Sequence, residues 1–551
     1  MLLTRSVLWG VLGALLFTVS AHAQTRQKLV PLPDWLKLDA EYRVESIFID
    51  PVDLNGSEVT DMRWTEQRLK VDFGLRVPKY GGIYVQMDAL NGVLFGDNGD
   101  FGGDPSSNGG LSLAARNPNT TAWEVGLKPG ADPLSYDSYV PQLRGVSPIG
   151  IRHIWAEALL PIGILRIGRM PTTDGALIAS HDGGRRNRWG VSRYYDTSDR
   201  VLFATKLDAI AEVIAHGKDA KLDPNPNNGV LFGIAYDWAS QDNLLTFGDD
   251  GIQVNTLLAW KQEKADWFGA DWRNFVLQTV FVYKKNVEFD TEFFAFPTRF
   301  YAEIGPVTVN TQFTVFTGKT REVSEGMAKL SGKVPKVQDI LAFGAHAFLE
   351  YDTGPVQVAL EVDYASGDAD PRAASMMSQL SFARDFNVGL LMFEHTLAMQ
   401  TARAMAVGIE NLRQLDAASF PLTEVGSQGR FHNALAIFPQ VKWDIMQGPK
   451  HHVHLRLGGL FAFAPQGVVD PVATILQEDG NEIEDDAVNW FGGKPGSYYG
   501  TEIDAQLEWS IANFFTWTLE AAVLFPGDGL QDEHGIALTS FMFENRFVFA
   551  F

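Results

Sequence analysis

Segment after segment of this chain alternates between apolar and polar residues with a period of two, over about ten to fourteen residues at a time. Leu69, Val71, Phe73, Leu75 and Val77 oppose Lys70, Asp72, Gly74 and Arg76. Ile252, Val254, Thr256, Leu258 and Trp260 oppose Gln253 and Asn255. Ile503, Ala505, Leu507 and Trp509 oppose Glu502, Asp504, Gln506, Glu508 and Ser510. The final segment sets Phe541, Phe543, Asn545, Phe547, Phe549 and Phe551 against Met542, Glu544, Arg546, Val548 and Ala550. A period of two sends successive side chains to opposite faces of a strand, so each segment has two chemically different faces. About twenty such segments lie between Leu38 and Phe551.

A polar strand face can meet water outside a soluble sandwich or inside a barrel, and alternation alone does not choose between them. The N-terminus does bear on the choice. Arg5 precedes an apolar run from Val7 to Val19, and Ala21-His22-Ala23 supplies small residues at a cleavage point. That pattern reads as a secretory signal peptide over residues 1–23, with the mature chain starting near Gln24. No later stretch has the apolar length of a membrane helix. Lipid admits only helices or closed barrels. The expectation is therefore an all-β fold over residues 24–551: a transmembrane antiparallel up-and-down β-barrel of 18 strands, with 16 to 20 as the range. Short connections such as Pro161-Ile162-Gly163, Tyr351-Asp352-Thr353-Gly354 and Met446-Gln447-Gly448-Pro449 are expected as periplasmic turns. Residues 92–148, 318–339 and 466–498 are expected as long extracellular loops. Residues 387–415 break the alternation. Leu390, Phe393, Leu397, Thr401 and Met405 recur there at helical spacing, which predicts a helical insertion. The alternative is a strand over 386–394 followed by a helix.

Composition removes several function classes. The chain has no cysteine, which excludes disulfide frameworks, thiolate metal sites and cysteine nucleophiles. With 67 acidic and 45 basic residues the net charge is −22, a sign that disfavours nucleic acid. There is no Gly-x-Ser-x-Gly elbow, no His-Glu-x-x-His and no nucleotide-binding glycine loop, so no enzyme and no cofactor are expected. Ser180-His181-Asp182 holds the residue types of a relay, but adjacent residues do not arrange one. His452 and His454 share a strand face with Arg456; no third ligand is near in sequence, so they read as lumenal polar groups with no metal. Asp368, Asp370 and the acidic run 478–486 fit no full calcium loop and read as solvated loops.

The densest basic cluster lies at 166–200, where Arg166, Arg169, Arg185, Arg186, Arg188, Arg193 and Arg200 stand in an otherwise acidic chain. Guanidinium groups present a fixed fork of donors suited to carboxylate or phosphate. In a pore they would form an electropositive constriction. The first six are the candidate anion-interacting residues. The alternative is pairing with local carboxylates. Period two puts Arg166 and Arg169 on opposite faces, which makes the loop arginines the better candidates.

The final aromatic strand resembles the terminal strand of bacterial outer-membrane barrels. The resemblance implies that Phe551, with Phe549 and Phe547, belongs to an assembly signal read by the barrel assembly machinery. Leu165-Arg166-Ile167-Gly168-Arg169 followed by the Asp-Gly-Gly-Arg-Arg stretch at 182–186 resembles large porins of the alginate-export type. So does Gly500-Thr501-Glu502-Ile503-Asp504 with the hairpin to Phe525-Pro526-Gly527-Asp528-Gly529. That resemblance implies an 18-stranded barrel with a positively charged route for anionic polysaccharide. The acidic total and the 387–415 insertion depart from the pattern. The expected role is an outer-membrane channel passing hydrophilic, anionic or saccharide solutes in a Gram-negative envelope, embedded among lipid and lipopolysaccharide. The alternatives are a barrel-anchored binding or structural protein, or the barrel component of an export complex.

Overall fold

The structure is a computed structural model. It describes residues 32–51, 54, 61–96, 124–127, 139–142, 147–173, 176–182, 187–192, 197–223, 225–239, 251–287, 289–321, 324, 334–368, 376–384, 386–398, 427, 429–467, 496–512, 514–531 and 535–551. The alternating segments form β1 (Leu36–Asp50), β2 (Met62–Val77), β3 (Gly81–Gly96), β4 (Ser147–Leu160), β5 (Gly163–Pro171) and β6 (Thr197–Lys206). They continue as β7 (Gly229–Ala239), β8 (Gly251–Trp267), β9 (Ala270–Asn286), β10 (Thr291–Ala295 and Thr298–Ile304), β11 (Val307–Thr320) and β12 (Gln338–Asp352). The set closes with β13 (Val356–Ala365), β14 (Ala434–Gln447), β15 (His451–Phe463), β16 (Tyr498–Ile511), β17 (Phe515–Pro526) and β18 (Ser540–Ala550).

Each strand pairs antiparallel with its sequence neighbour, and β1 pairs with β18 from Glu41↔Ala550 to Asp50↔Phe541. The last bonds of that seam run from Phe551 N to Ala40 O at 2.8 Å and from Ala40 N to Phe551 O at 3.2 Å. The sheet is thus a closed 18-stranded up-and-down barrel. The interruption of β10 accounts for part of the difference between about twenty alternating segments and 18 strands. Pro297 has no N–H to give the ladder, so the strand breaks at Phe296-Pro297. Both halves still lie between β9 and β11, and they count as one strand.

The barrel is apolar outside. Leu38, Ile83, Ile154, Leu258, Leu349, Leu360, Val441, Leu457, Ile503 and Phe543 are exposed on strands spread round the whole circumference. A closed sheet with such a surface is built for hydrocarbon. No helix among the described residues is long and apolar enough to cross a membrane. Rings gather near the ends of strands that carry short turns. Phe275 contacts Trp260 at 4.9 Å and Trp267 at 5.2 Å, and Phe514 contacts Phe551 at 5.4 Å. This is the aromatic girdle expected at a membrane interface.

The predicted turns at Pro161–Gly163, Tyr351–Gly354 and Met446–Pro449 join adjacent strands at the end where both termini of the barrel lie. One connection at this end is longer. Between β6 and β7 the chain forms α1 (Leu207–His216), an element the alternation gave no sign of. Its Leu207, Ile210 and Ile214 follow helical spacing, which is the signal that marks it. Of the predicted long loops, 97–123, 128–138, 143–146, 468–495 and most of 322–333 lie outside the described residues, as does the leader 1–23. A two-stranded piece, Glu124–Leu127 with Tyr139–Gln142, stands in the 92–148 loop.

Leu360 faces outward on β13, opposite Leu349. Leu360→Arg is expected to cost about 2–4 kcal/mol near the bilayer midplane. Denaturant unfolding from liposomes, compared with the unsubstituted chain, measures this.

Candidate functional site

The inward strand faces are not open to water over the whole barrel, because two inter-strand segments fold into the lumen. The first follows β5. Its short hairpin, Ala176–Leu177 with Ser180–His181, is tied to the wall where Ile178 N donates to Gln312 Oε1 at 2.8 Å. Residues 187–192 then cross the interior. The Arg188 carbonyl accepts from Gln506 Nε2 at 3.0 Å and from Arg456 Nη1. Trp189 Nε1 donates to Gln440 Oε1 at 3.1 Å, and Gly190 N donates to Glu520 Oε1 at 3.0 Å. The Ser192 carbonyl accepts from Arg43 Nη1 at 3.3 Å and Arg68 Nη1 at 3.4 Å. The wall side chains come from β1, β2, β14, β15, β16 and β17.

The second segment follows β13 and contains the predicted insertion. Among its described residues, Met392–Leu397 forms one π-helical turn, with Met392, Phe393, His395, Thr396 and Leu397 buried. No strand forms over the described part of 386–394, and 399–415 lies outside the described residues. The insertion folds inward. Glu502, fully buried on β16, accepts from the backbone N–H of Leu390 at 2.7 Å, Leu391 at 2.9 Å and Met392 at 2.7 Å. A helix start needs acceptors for its free N–H groups, and a carboxylate supplies two strong ones. Gly389 makes the approach possible: its φ is +78°, and a Cβ there would sit 2.9 Å from Glu502 Oε1.

These segments bury an apolar core inside the barrel. Phe431 contacts Phe382 at 4.8 Å and Phe393 at 4.7 Å, while Trp189 packs on Phe438 at 5.8 Å. Gly458 leaves the space for that pair, since a Cβ would meet Phe438 at 2.5 Å. The acidic face of β16 is therefore not open to an aqueous lumen at its loop-side end: Glu502 and Asp504 have no exposed surface.

The predicted arginines divide into three groups. Arg185, Arg186 and Arg193 lie outside the described residues. Arg166 is inward and paired with Glu157 at 2.7 Å, whereas Arg169 is on the outer face and paired with Asp199 at 2.6 Å. Arg188 enters the lumen, pairs with Glu361 at 2.7 Å and stacks over the Phe348 ring at 3.6 Å from its centroid. Arg200 pairs with Asp237 at 2.7 Å. Every described member of the cluster thus has a carboxylate partner, and the fold places Arg166 and Arg169 on separate surfaces. Phe541, Phe543 and Phe551 are exposed on the outer face that they share with Phe547 and Phe549.

Sequence reasoning missed the wider charge network of the wall. Asp88 holds Arg68 at 3.0 Å and Arg152 at 2.8 Å; Arg546 pairs with Glu544 at 2.6 Å and Glu520 at 2.9 Å. These residues run from Arg68 to Arg546 but sit at inward places of alternating strands, where period two could have found them. His452 and His454 are inward, as their spacing implies, and Asp444 of β14 stands beside them.

On the short-turn side of the crossing segment lies a cavity of about 690 Å³. Arg188, Arg273, Tyr301, Glu303, Asn310, Phe348, Glu350 and Asp352 line it. It is a polar chamber with charges of both signs, roofed in part by Arg188.

The sequence matches no family model and no curated protein. Among solved structures, the chain is similar to the outer membrane protein OpdK of Pseudomonas aeruginosa, at 9% identity and TM-score 0.42 over 94% of this chain and 99% of that one. It is also similar to OprD of Pseudomonas aeruginosa, at 9% identity and TM-score 0.43 over 94% and 93%. For OccAB1 of Acinetobacter baumannii the values are 9%, 0.46, 96% and 99%. The likeness to alginate-export porins stands on the two sequence motifs alone. The chain's own geometry defines its class: a transmembrane β-barrel with an internally packed lumen.

Glu502→Leu removes three charge-assisted hydrogen bonds, each worth about 1.5–3 kcal/mol. Amide hydrogen exchange across 388–398 should rise by at least about tenfold while the strand ladders stay protected. Unchanged exchange in that segment would show that Glu502 does not hold it.

Proposed function

We propose that this protein is an outer-membrane channel for hydrophilic solutes, narrowed by its own inward segments. One observation carries the reading: a polar chamber bounded by Arg188 lies inside a closed barrel whose outer surface is apolar. An outer surface of this kind needs lipid, and short turns at the end bearing the termini fit a periplasmic side. The apolar exterior would contact lipid and lipopolysaccharide, and the Phe547, Phe549 and Phe551 face would be read during assembly.

The packed interior favours passage that waits on movement of the 187–192 and 376–398 segments. Their hold on the wall combines polar contacts divided among several strands with apolar packing such as Trp189 on Phe438, so it can be weakened one contact at a time. The anionic or saccharide preference rests on Arg188 and on its sequence neighbours Arg185, Arg186 and Arg193. Arg188 keeps about a third of its side chain exposed, at 32%, beside the chamber. A guanidinium already held by Glu361 offers its remaining donors to a passing carboxylate or hydroxyl. An alginate-like substrate is the finer version of this reading.

Planar-bilayer recording tests it. The purified chain should give discrete ion-conducting steps, and Trp189→Ala combined with Glu502→Leu should raise mean conductance several-fold. Neutralising Arg185 and Arg186 should lower anion preference measured from reversal potentials. A well-inserted chain that never conducts, with or without the loosening substitutions, favours the anchored structural role instead.

A further inference from the structure

At the short-turn end of the lumen, the hairpin of β14 and β15 brings together Asp444, His452 and His454, one ligand atom of each lying within 4.8 Å of the others. We propose that this is a divalent transition-metal site, with zinc as the best-suited ion. The donor set is two imidazole nitrogens and one carboxylate oxygen. That set suits zinc and its neighbours in the transition series, and not the all-oxygen cations calcium and magnesium. Three protein ligands with the fourth position left to water is a common zinc arrangement.

Three features argue that the cluster is built as a site. The first is an unpartnered ring nitrogen: His454 is 6% exposed, and its Nδ1 is buried with no hydrogen-bond partner. Its Nε2 lies 3.3 Å from Gln506 Oε1, an acceptor that fixes the proton on Nε2 and leaves the lone pair on Nδ1. The second is the support of the carboxylate. Asp444 Oδ2 accepts from Gln357 Nε2 at 3.0 Å and Gln447 Nε2 at 2.8 Å, and Oδ1 faces His452 and Lys442. Such outer hydrogen bonds orient metal ligands and tune their affinity. The third is access. His452 keeps 36% of its side chain exposed, and its Nε2 already stands 3.1 Å from Asp444 Oδ1. Two ligands of one tetrahedral zinc ion lie ~3.3 Å apart, so rotation of the half-exposed His452 completes the approach.

One residue opposes the ion. Lys442 Nζ is 3.2 Å from Asp444 Oδ1, with 25% of its side chain exposed. Its ammonium occupies the carboxylate when no metal is present and must swing away when one binds. This gives the site a signature that a chance histidine pair lacks: removing Lys442 should tighten binding, while removing any ligand should weaken it.

The test is metal titration of the untagged, folded chain in detergent, which does not depend on conduction. Cobalt reports coordination through its visible absorption bands, and zinc is titrated against a chromophoric chelator. We expect one ion per chain. His452→Gln and Asp444→Asn should each weaken zinc binding at least about 100-fold, and Gln357→Ala about tenfold. Lys442→Met should tighten it about tenfold. Circular dichroism and heat-dependent gel mobility confirm that each variant is folded. The proposal is overturned if the folded wild-type chain takes up no zinc, or if folded His452→Gln and Asp444→Asn bind as tightly as wild type. Channel activity with no zinc uptake overturns this site and leaves the channel reading intact; zinc uptake without conduction does the reverse.

Discussion

A sheet surrounded by hydrocarbon cannot keep an open edge, because each unpaired N–H and C=O there costs several kcal/mol. The pairing of β1 with β18 removes the edge, and the rest of the molecule depends on it. Once the ladder closes, every strand has a face towards lipid and a face towards the interior. Leu360 and Ile503 are then tolerated outside, and Glu502 and Arg546 are committed inside. The same closure creates an enclosed volume that the chain must either leave to water or fill.

This chain fills part of it. The 187–192 segment is held by Gln440, Arg456, Gln506 and Glu520, and the 390–392 backbone by Glu502. These contacts join residues far apart in sequence, and they place charged wall groups against main chain in place of water. Burying a carboxylate is costly unless it is hydrogen-bonded, and Glu502 meets that condition with three donors. The interior therefore has two regimes. The loop-side part is packed with rings such as Phe382, Phe393 and Phe431, as in a soluble core. The short-turn part keeps a polar chamber and the Asp444–His452–His454 cluster.

The arginine cluster shows how far local sequence reaches. Its density at 166–200 suggested a concerted constriction, yet Arg166 and Arg169 sit on opposite surfaces, as period two requires. Arg188 does reach the lumen, and it arrives already paired with Glu361 of β13. The histidines show the converse. His452 and His454 had no third ligand nearby in sequence, because Asp444 lies across the hairpin turn and only the β14–β15 register brings it alongside.

The alternation by itself marked where strands run, that each has two chemically different faces, and which turns are short, because strand geometry is a local property with a period of two. The count of 18 and the inward direction of the polar faces came from the closed pairing. The absence of cysteine removed thiol chemistry on composition alone. The irregular segments at 176–192 and 376–398 were decided only in three dimensions. Nothing local distinguishes a loop that stays outside from one that folds into the lumen. The difference lies in acceptors such as Glu502 and spaces such as that beside Gly458, both of which belong to strands far away in the chain.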